Sequence, residues 1–416
     1  MNAPHPAPLQ AGWMIPRPEF IALVAALMAL NALAVDVMLP ALPYMGEALK
    51  VANENDRQFV LSAYMVGFGF AQLVFGPLTD RFGRRAPLMI GLAIYIAAAL
   101  AAVLAPSFTT LLILRAVQGI GAAGTRVVAQ SAVRDRFSGR AMAEVSSLIF
   151  MVFMAIPIVA PGIGQVLLLV GPWETIFIFM GGLALAIGVW AFVRLPETLD
   201  PANRRALNFA SILEGFRLVF SNRPAIAYGI ANTVTFAALF GFINTSQQIF
   251  VDLYGLGALF PVAFACMAGL MAFSSFLNSR FVGRVGVRRL AHGALIIYSV
   301  GAGLLLLLSL VGLGTFPVFF VLLCVIMVMF GTASSNMNSL AMEPLGAVAG
   351  TASSVFGFLQ TIGGTLIGGY IGHQFNGTIT PVALGYFAAG LAALLCALVA
   401  ENGRLFGVSP EYRKGH

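Results

Sequence analysis

The sequence predicts an all-α integral membrane protein with twelve transmembrane helices in two pseudo-symmetric six-helix bundles. Three observations carry this. Of the 416 residues, 59% are hydrophobic and 9% are charged, where a soluble globular chain averages about 25% charged. The apolar residues fall into twelve runs, each near the roughly 20 residues that cross a bilayer as a helix. A basic segment also recurs, TDRFGRR at 79–85 and GRVGVRR at 283–289, each time after the second span of a half.

The runs are 20–43, 58–78, 86–106, 108–130, 145–169, 173–195, 225–248, 258–279, 290–312, 316–341, 351–372 and 380–400. In hydrocarbon the backbone must satisfy its own hydrogen bonds, and runs this long and uniformly apolar do so as helices, not as barrel strands. Residues 1–19 read as a Pro-rich tail without a cleavable signal, because the apolar run that follows is too long for a signal core. Residues 20–200 form the first bundle, 201–223 a linker, 224–402 the second bundle and 403–416 a second tail. In the linker, Phe209, Ile212, Leu213, Phe216, Val219 and Phe220 recur at helical spacing, which predicts an amphipathic helix on the membrane surface.

Charge sets the expected orientation. All but four of the 23 Lys and Arg lie in the tails or in the loops between spans 2–3, 4–5, 6–7 and 8–9. Lys50 and Arg57 lie on the other side, and Arg115 and Arg126 lie within a span. The positive-inside rule then puts both termini on the cytoplasmic side. The net charge of +7 and pI of about 9.7 suit an anionic inner leaflet, and no nucleic-acid partner is expected. Cys266, Cys324 and Cys396 sit inside apolar runs, read as buried free thiols without metal-ligand spacing. His5 and His416 are in the tails, and His292 and His373 are at span ends. With no phosphate loop or nucleophile–base constellation, an enzyme or ATP-driven pump is not expected. Repeated bundles joined by an interfacial linker imply rocking around a shared midplane site, as in a secondary active transporter that needs no cofactor or metal.

Asp36 is the one carboxylate deep in a membrane-length apolar run. A charge there costs about 2.5–3.5 kcal/mol on insertion scales, so it marks a functional position. At about 1.5 Å per residue, Asp36 and Arg115 fall at similar depth in the outer half of their spans. A polar network between them would lower the cost of both charges. Burial and a neighbouring cation act in opposite directions on a carboxyl, so a group balanced between them can exchange a proton as access alternates. Arg115 stays charged and would tune that exchange. Arg126, eleven residues further on, returns to nearly the same helix face about 16 Å nearer the cytoplasm, where it either lines the cavity or snorkels to the interface. Gln118 extends the polar stripe. Asn31, Tyr64 and Gln72, with Asn232, Phe236, Asn244, Gln248, Asn336 and Gln360 in the second half, are further cavity candidates.

Five motifs in order carry a family resemblance: VDVMLPALP at 35–43, GPLTDRFGRR at 76–85, RAVQGIGAAG at 115–124, APGIGQ at 160–165 and AGTASSVFGFLQ at 349–360. The chain resembles the major facilitator superfamily, and more narrowly its twelve-span drug–proton antiporters of the Bcr/CflA type. The resemblance implies proton-coupled efflux by alternating access across a bacterial inner (plasma) membrane, with protons as coupling ion, a small-molecule drug as cargo, lipid around it and a monomeric transporter. It implies a conformational lock at Gly76, Asp80, Arg81, Gly83, Arg84 and Arg85, with Asp80 facing the start of span 11 near Gly350 and Thr351. It also implies an antiporter bend at Pro157, Pro161, Gly162 and Gly164 that seals the cavity. A single intramembrane acid disfavours dications, which favours neutral or weakly charged amphipathic cargo such as amphenicols or bicyclomycin. Export of sugars or other metabolites, or proton-coupled import, is the alternative on the same fold.

Overall fold

A computed structural model describes residues 15–137, 139–200 and 209–406. The outer parts of both tails, with His5 and His416, and linker residues 201–208 lie outside the described residues. The helices are α1 Arg17–Asp36, α2 Leu42–Ala48, α3 Phe59–Phe82, α4 Arg85–Ala102, α5 Phe108–Arg136, α6 Gly139–Val170 and α7 Glu174–Arg194 in the first half. The linker helix is α8 Phe209–Ser221. The second half has α9 Arg223–Gln247, α10 Phe260–Val285, α11 Val287–Leu310, α12 Phe316–Met342, α13 Ala349–Phe358, α14 Gly364–His373 and α15 Thr380–Ala400. Among the described residues eleven helical stretches are long and apolar enough to cross a membrane. The apolar part of α6, Ala155–Val170, is shorter and occupies the place of the fifth span.

The first crossing is not the single helix expected over 20–43. Helix α1 ends at Asp36, and a 3-10 turn at Leu39–Ala41 leads into α2. Pro40 has no N–H to donate to the Asp36 carbonyl four residues back, and Pro43 has none for Leu39, so the α-helical ladder stops here. Two π segments were not expected either: Gln248–Leu253 extends α9, and Leu359–Gly363 joins α13 to α14. In α6 the helix continues through Pro157 and Pro161. Helix α8 lies in the linker, with Val219 buried, whereas Phe220, expected on the same apolar face, is exposed along with Arg217 and Leu218; the side chains of Phe209, Ile212 and Leu213 lie outside the described residues.

The same packing scheme occurs twice. Helix α5 packs on α3 and α4, and α4 on α7; likewise α12 packs on α10 and α11, and α11 on α15. The α1–α6 contact has its counterpart in α9–α14. The bundles meet along two seams, α6 on α10 and α3 on the α13–π–α14 rod. Small residues permit the closest approaches, as membrane packing requires. A Cβ on Gly119 of α5 would lie 2.0 Å from the Tyr64 carbonyl oxygen of α3, and one on Gly67 would lie 2.0 Å from the Ala116 oxygen.

Gly119→Val should therefore force α3 and α5 apart at a cost of about 1–3 kcal/mol or more. The expected result is a clear drop in the temperature at which the detergent-purified protein loses its monodisperse elution peak. An unchanged peak would show that the two backbones do not touch there.

Candidate functional site

The break after Asp36 is held from three sides. From α5, Arg115 is fully buried and donates through Nη2 to the Ala34 carbonyl (2.9 Å), through Nε to the Val60 carbonyl (3.2 Å) and through Nη1 to Gln118 Oε1 (2.8 Å). Its guanidinium carbon stands 4.5 Å from the Tyr64 ring centroid. From α3, the Tyr64 hydroxyl donates to Asn31 Oδ1 at 3.1 Å. From α6, a Cβ on Gly164 would lie 2.2 Å from the Val37 carbonyl oxygen, so only glycine lets α6 close on the chain just past Asp36. Gly162 has open space instead, and close packing does not explain it.

The expected Asp36–Arg115 network does not form. Two carbonyls and one amide oxygen give each nitrogen of Arg115 an acceptor and Tyr64 covers a face, so neutral groups hold the buried cation. Asp36 is buried, and among the described residues it has neither a hydrogen bond nor an ion pair. It is the last residue of α1, at the negative end of the helix dipole. An ionised carboxylate is costly in such a place.

Arg126 does not snorkel. Its guanidinium lies over the ring of Phe68, 5.6 Å from the centroid, and Phe68 stacks on Tyr64 at 6.4 Å. Phe68 lies in the middle of α3 and is 1% exposed. The side chain therefore reaches toward the membrane centre, and it has no hydrogen bond or ion pair among the described residues.

The other expected cavity residues divide. Asn232 accepts from the Ser334 hydroxyl at 2.7 Å, and Phe236 is half-buried, stacked on Phe240. Asn244 is buried with neither amide atom partnered, and Gln360 is half-buried in the second π segment. Asn336 donates to Asn278 Oδ1 (2.7 Å), tying α12 to α10 within one bundle. Gln72 and Gln248 lie in the seam between bundles. Gln72 donates to Thr361 Oγ1 at 3.3 Å, in the second π segment. Gln248 donates to Asn55 Oδ1 (2.9 Å) and accepts from Gln58 (3.1 Å). Gln58 also donates to the Gly372 carbonyl, and Asn55 to the carbonyls of His373 and Phe375, so this end of the seam is a ladder of neutral amides.

The lock residues lie at the opposite, basic end. Among the described residues Asp80 makes no hydrogen bond to Gly350 or Thr351. It accepts from Arg84 Nη1 at 2.7 Å, and Arg84 also donates through Nε to Asp135 of α5 at 2.8 Å. A guanidinium four residues away simply offers Asp80 a stronger donor than a helix end. Glu197, missed in the sequence, accepts from the backbone N–H of Arg84 (2.7 Å) and Arg85 (3.2 Å). Gly83 has φ +87°, and a Cβ there would lie 2.4 Å from Glu197. Arg85 donates to the Phe192 carbonyl, and Arg81 is exposed over Phe82. Gly76 has room for a Cβ, 3.9 Å from Ser354 Oγ. The second half repeats the design: Arg288 donates to Glu343 after α12 (3.1 Å) and to Glu401 after α15 (2.8 Å). The signal was an acid after spans 4 and 6 and again after spans 10 and 12. Tyr228 and His292 were also missed. His292 Nδ1 accepts the Phe406 N–H (3.0 Å), so Nε2 carries the proton and donates to Tyr228 Oη (2.9 Å), while the Tyr228 hydroxyl donates to Glu401 (2.8 Å).

The family model described as Major Facilitator Superfamily matches residues 24–368. The chain belongs to the major facilitator superfamily. It is a membrane transporter, not an enzyme. This transporter is 30% identical over 385 residues to the Bicyclomycin resistance protein homolog of Haemophilus influenzae, covering 91% of this chain and 94% of that protein. It is 29% identical over 355 residues to the Multidrug resistance protein MdtL of Klebsiella pneumoniae, covering 84% and 87%. A bacterial homolog of the human lysosomal transporter Spinster, solved inward-facing and occupied, superposes with a TM-score of 0.71 at 14% identity, over 95% of this chain and 99% of that one. That last likeness bears on the fold alone.

Arg84 is nearly buried between two carboxylates, and breaking such a pair from one side costs about 3–5 kcal/mol. Arg84→Ala should lower the thermal midpoint of the purified transporter substantially, whereas Arg81→Ala, exposed, should not. Equal midpoints for the two variants would contradict the arrangement at the basic end.

Proposed function

We propose that this transporter exports amphipathic antibiotics from bacteria in exchange for protons, with Asp36 as the proton-carrying group. The basic end of the bundles is cytoplasmic in this reading, and the amide ladder at Asn55, Gln58 and Gln248 closes the outer side. One observation carries the proposal: Asp36 is buried at the terminus of a membrane helix, and among the described residues no cation or donor holds its charge. Protonation removes a costly charge, and deprotonation restores it, so the group can load from one side and unload to the other. Asp36 sits on the backbone break that Arg115 and Gly164 brace, and a change of its charge therefore acts on the joint between α1, α5 and α6. The names of the relatives, a bicyclomycin resistance homolog and a multidrug resistance protein, support antibiotics as cargo. Neutral or weakly charged compounds suit an interior with one acid.

Antiport requires proton and cargo to favour different states of the protein. In the wild type, cargo binding should weaken as pH falls through the titration of Asp36, and adding drug to everted vesicles should release protons. In Asp36→Asn both effects should vanish and active efflux should fall to the level of membranes without the transporter. Drug-coupled proton movement that persists in the variant would remove Asp36 from this role.

A further inference from the structure

Arg126 is an intramembrane cation that the proton-coupling scheme does not use. Helix α5 turns its lipid side through Ile113, Val117 and Ile120, which are 60%, 36% and 38% exposed. At about 100° per residue, Arg126 lies about 140° around the helix from Ile113 and about 20° from the fully buried Arg115. Its partial exposure is therefore directed to the protein interior, away from lipid. It lies about 6 Å to the basic side of the midpoint of α5, and its side chain reaches back over Phe68. Two guanidinium groups thus cap a two-ring stack: Arg115 on Tyr64, and Phe68 under Arg126. Their states differ. Each nitrogen of Arg115 has an oxygen acceptor, while Arg126 is held by a ring on one face and its N–H edge has no acceptor among the described residues.

We infer that Arg126 is a specificity residue of the cargo site, and that its exposed N–H edge takes the carboxylate of an amphipathic monoanion whose apolar body lies against Phe68. This rests on the efflux reading above and narrows its cargo class. The chemistry fits: a guanidinium fork is matched to a carboxylate by two parallel hydrogen bonds, and few polar groups compete for it in a low-dielectric cavity. Asp36 lies near the level of Arg115, about 16 Å further along the α5 axis, so cargo on Arg126 need not touch the proton site. Exchange of an outgoing monoanion for an incoming proton moves two charges in the same electrical sense. The membrane potential therefore drives such cargo more strongly than a neutral one.

The test uses the full-length protein in nanodiscs with two probes that share a body, neutral chloramphenicol and its anionic hemisuccinate. The wild type should bind the hemisuccinate more tightly than the parent. Arg126→Gln should weaken hemisuccinate binding by about 10- to 100-fold, the worth of a charge-assisted hydrogen bond, with little change for the parent. Arg126→Lys should fall between them, because a point charge keeps attraction without the fork. The inference is overturned if the wild type shows no preference for the hemisuccinate, if it binds neither probe, or if Arg126→Gln weakens both probes alike. The wild-type preference decides the matter even if the glutamine variant does not fold. In proteoliposomes with an imposed pH gradient, Arg126-dependent binding without transport of either probe would sink the efflux reading and leave the recognition role intact.

Discussion

The cost of an ionised group in hydrocarbon governs this structure. Every charge at membrane depth has to be matched, neutralised or used, and the three intramembrane charges illustrate the three outcomes. Arg115 is matched by carbonyls, an amide and a ring. Asp36 has no match among the described residues, and in the proposed scheme a proton relieves it. Arg126 is stabilised on one face by Phe68 and keeps its donors directed to the interior. A direct Asp36–Arg115 pair would have quenched both groups. The carbonyl oxygens of Ala34 and Val60 hold the cation without quenching the acid.

Charge and its absence also divide the contacts between and within the bundles. The Arg–carboxylate pairs at the basic end, Arg84 with Asp80 and Asp135, and Arg288 with Glu343 and Glu401, each lie inside one bundle. The bonds that cross between bundles are largely neutral: Gln58, Asn55 and Gln248 at one end and Gln72 with Thr361 near the middle. A neutral hydrogen bond contributes about 0.5–1.5 kcal/mol net, while breaking a buried ion pair from one side costs several times more. Each half can therefore stay rigid while the seam between them opens and closes. His373, 3.5 Å from Asp56, is the single described ion contact across the seam, and it is charged only when the histidine is protonated.

Most of the fold was legible in the sequence because its signals are redundant. Length, hydropathy and the uneven arginines each point to spans and their order, and a few misplaced residues change none of them. The break after Asp36 was legible in principle, since Pro40 and Pro43 remove two backbone donors within four residues, yet a hydropathy run over 20–43 hides it. Side-chain partners were less legible. Helical depth placed Asp36 and Arg115 at one level but could not say that Arg115 would be held by two backbone oxygens and the Gln118 amide. The same limit applies to Asp80, whose partner proved to be Arg84 four residues on, and to Asn336, which bonds within its bundle. Neutral amides such as Gln58 carry no pattern that separates a seam from a cavity. The π segments leave no periodic trace at all.

The central claim is that Asp36 changes protonation within the working cycle because nothing around it holds its charge. Infrared difference spectroscopy of the reconstituted transporter reads this directly through the carbonyl stretch of a protonated carboxyl group. A band that is present without cargo, fades as cargo binds and is missing in Asp36→Asn is the predicted result. A wild-type spectrum in which no such band depends on Asp36, across the pH range where transport occurs, would contradict the account.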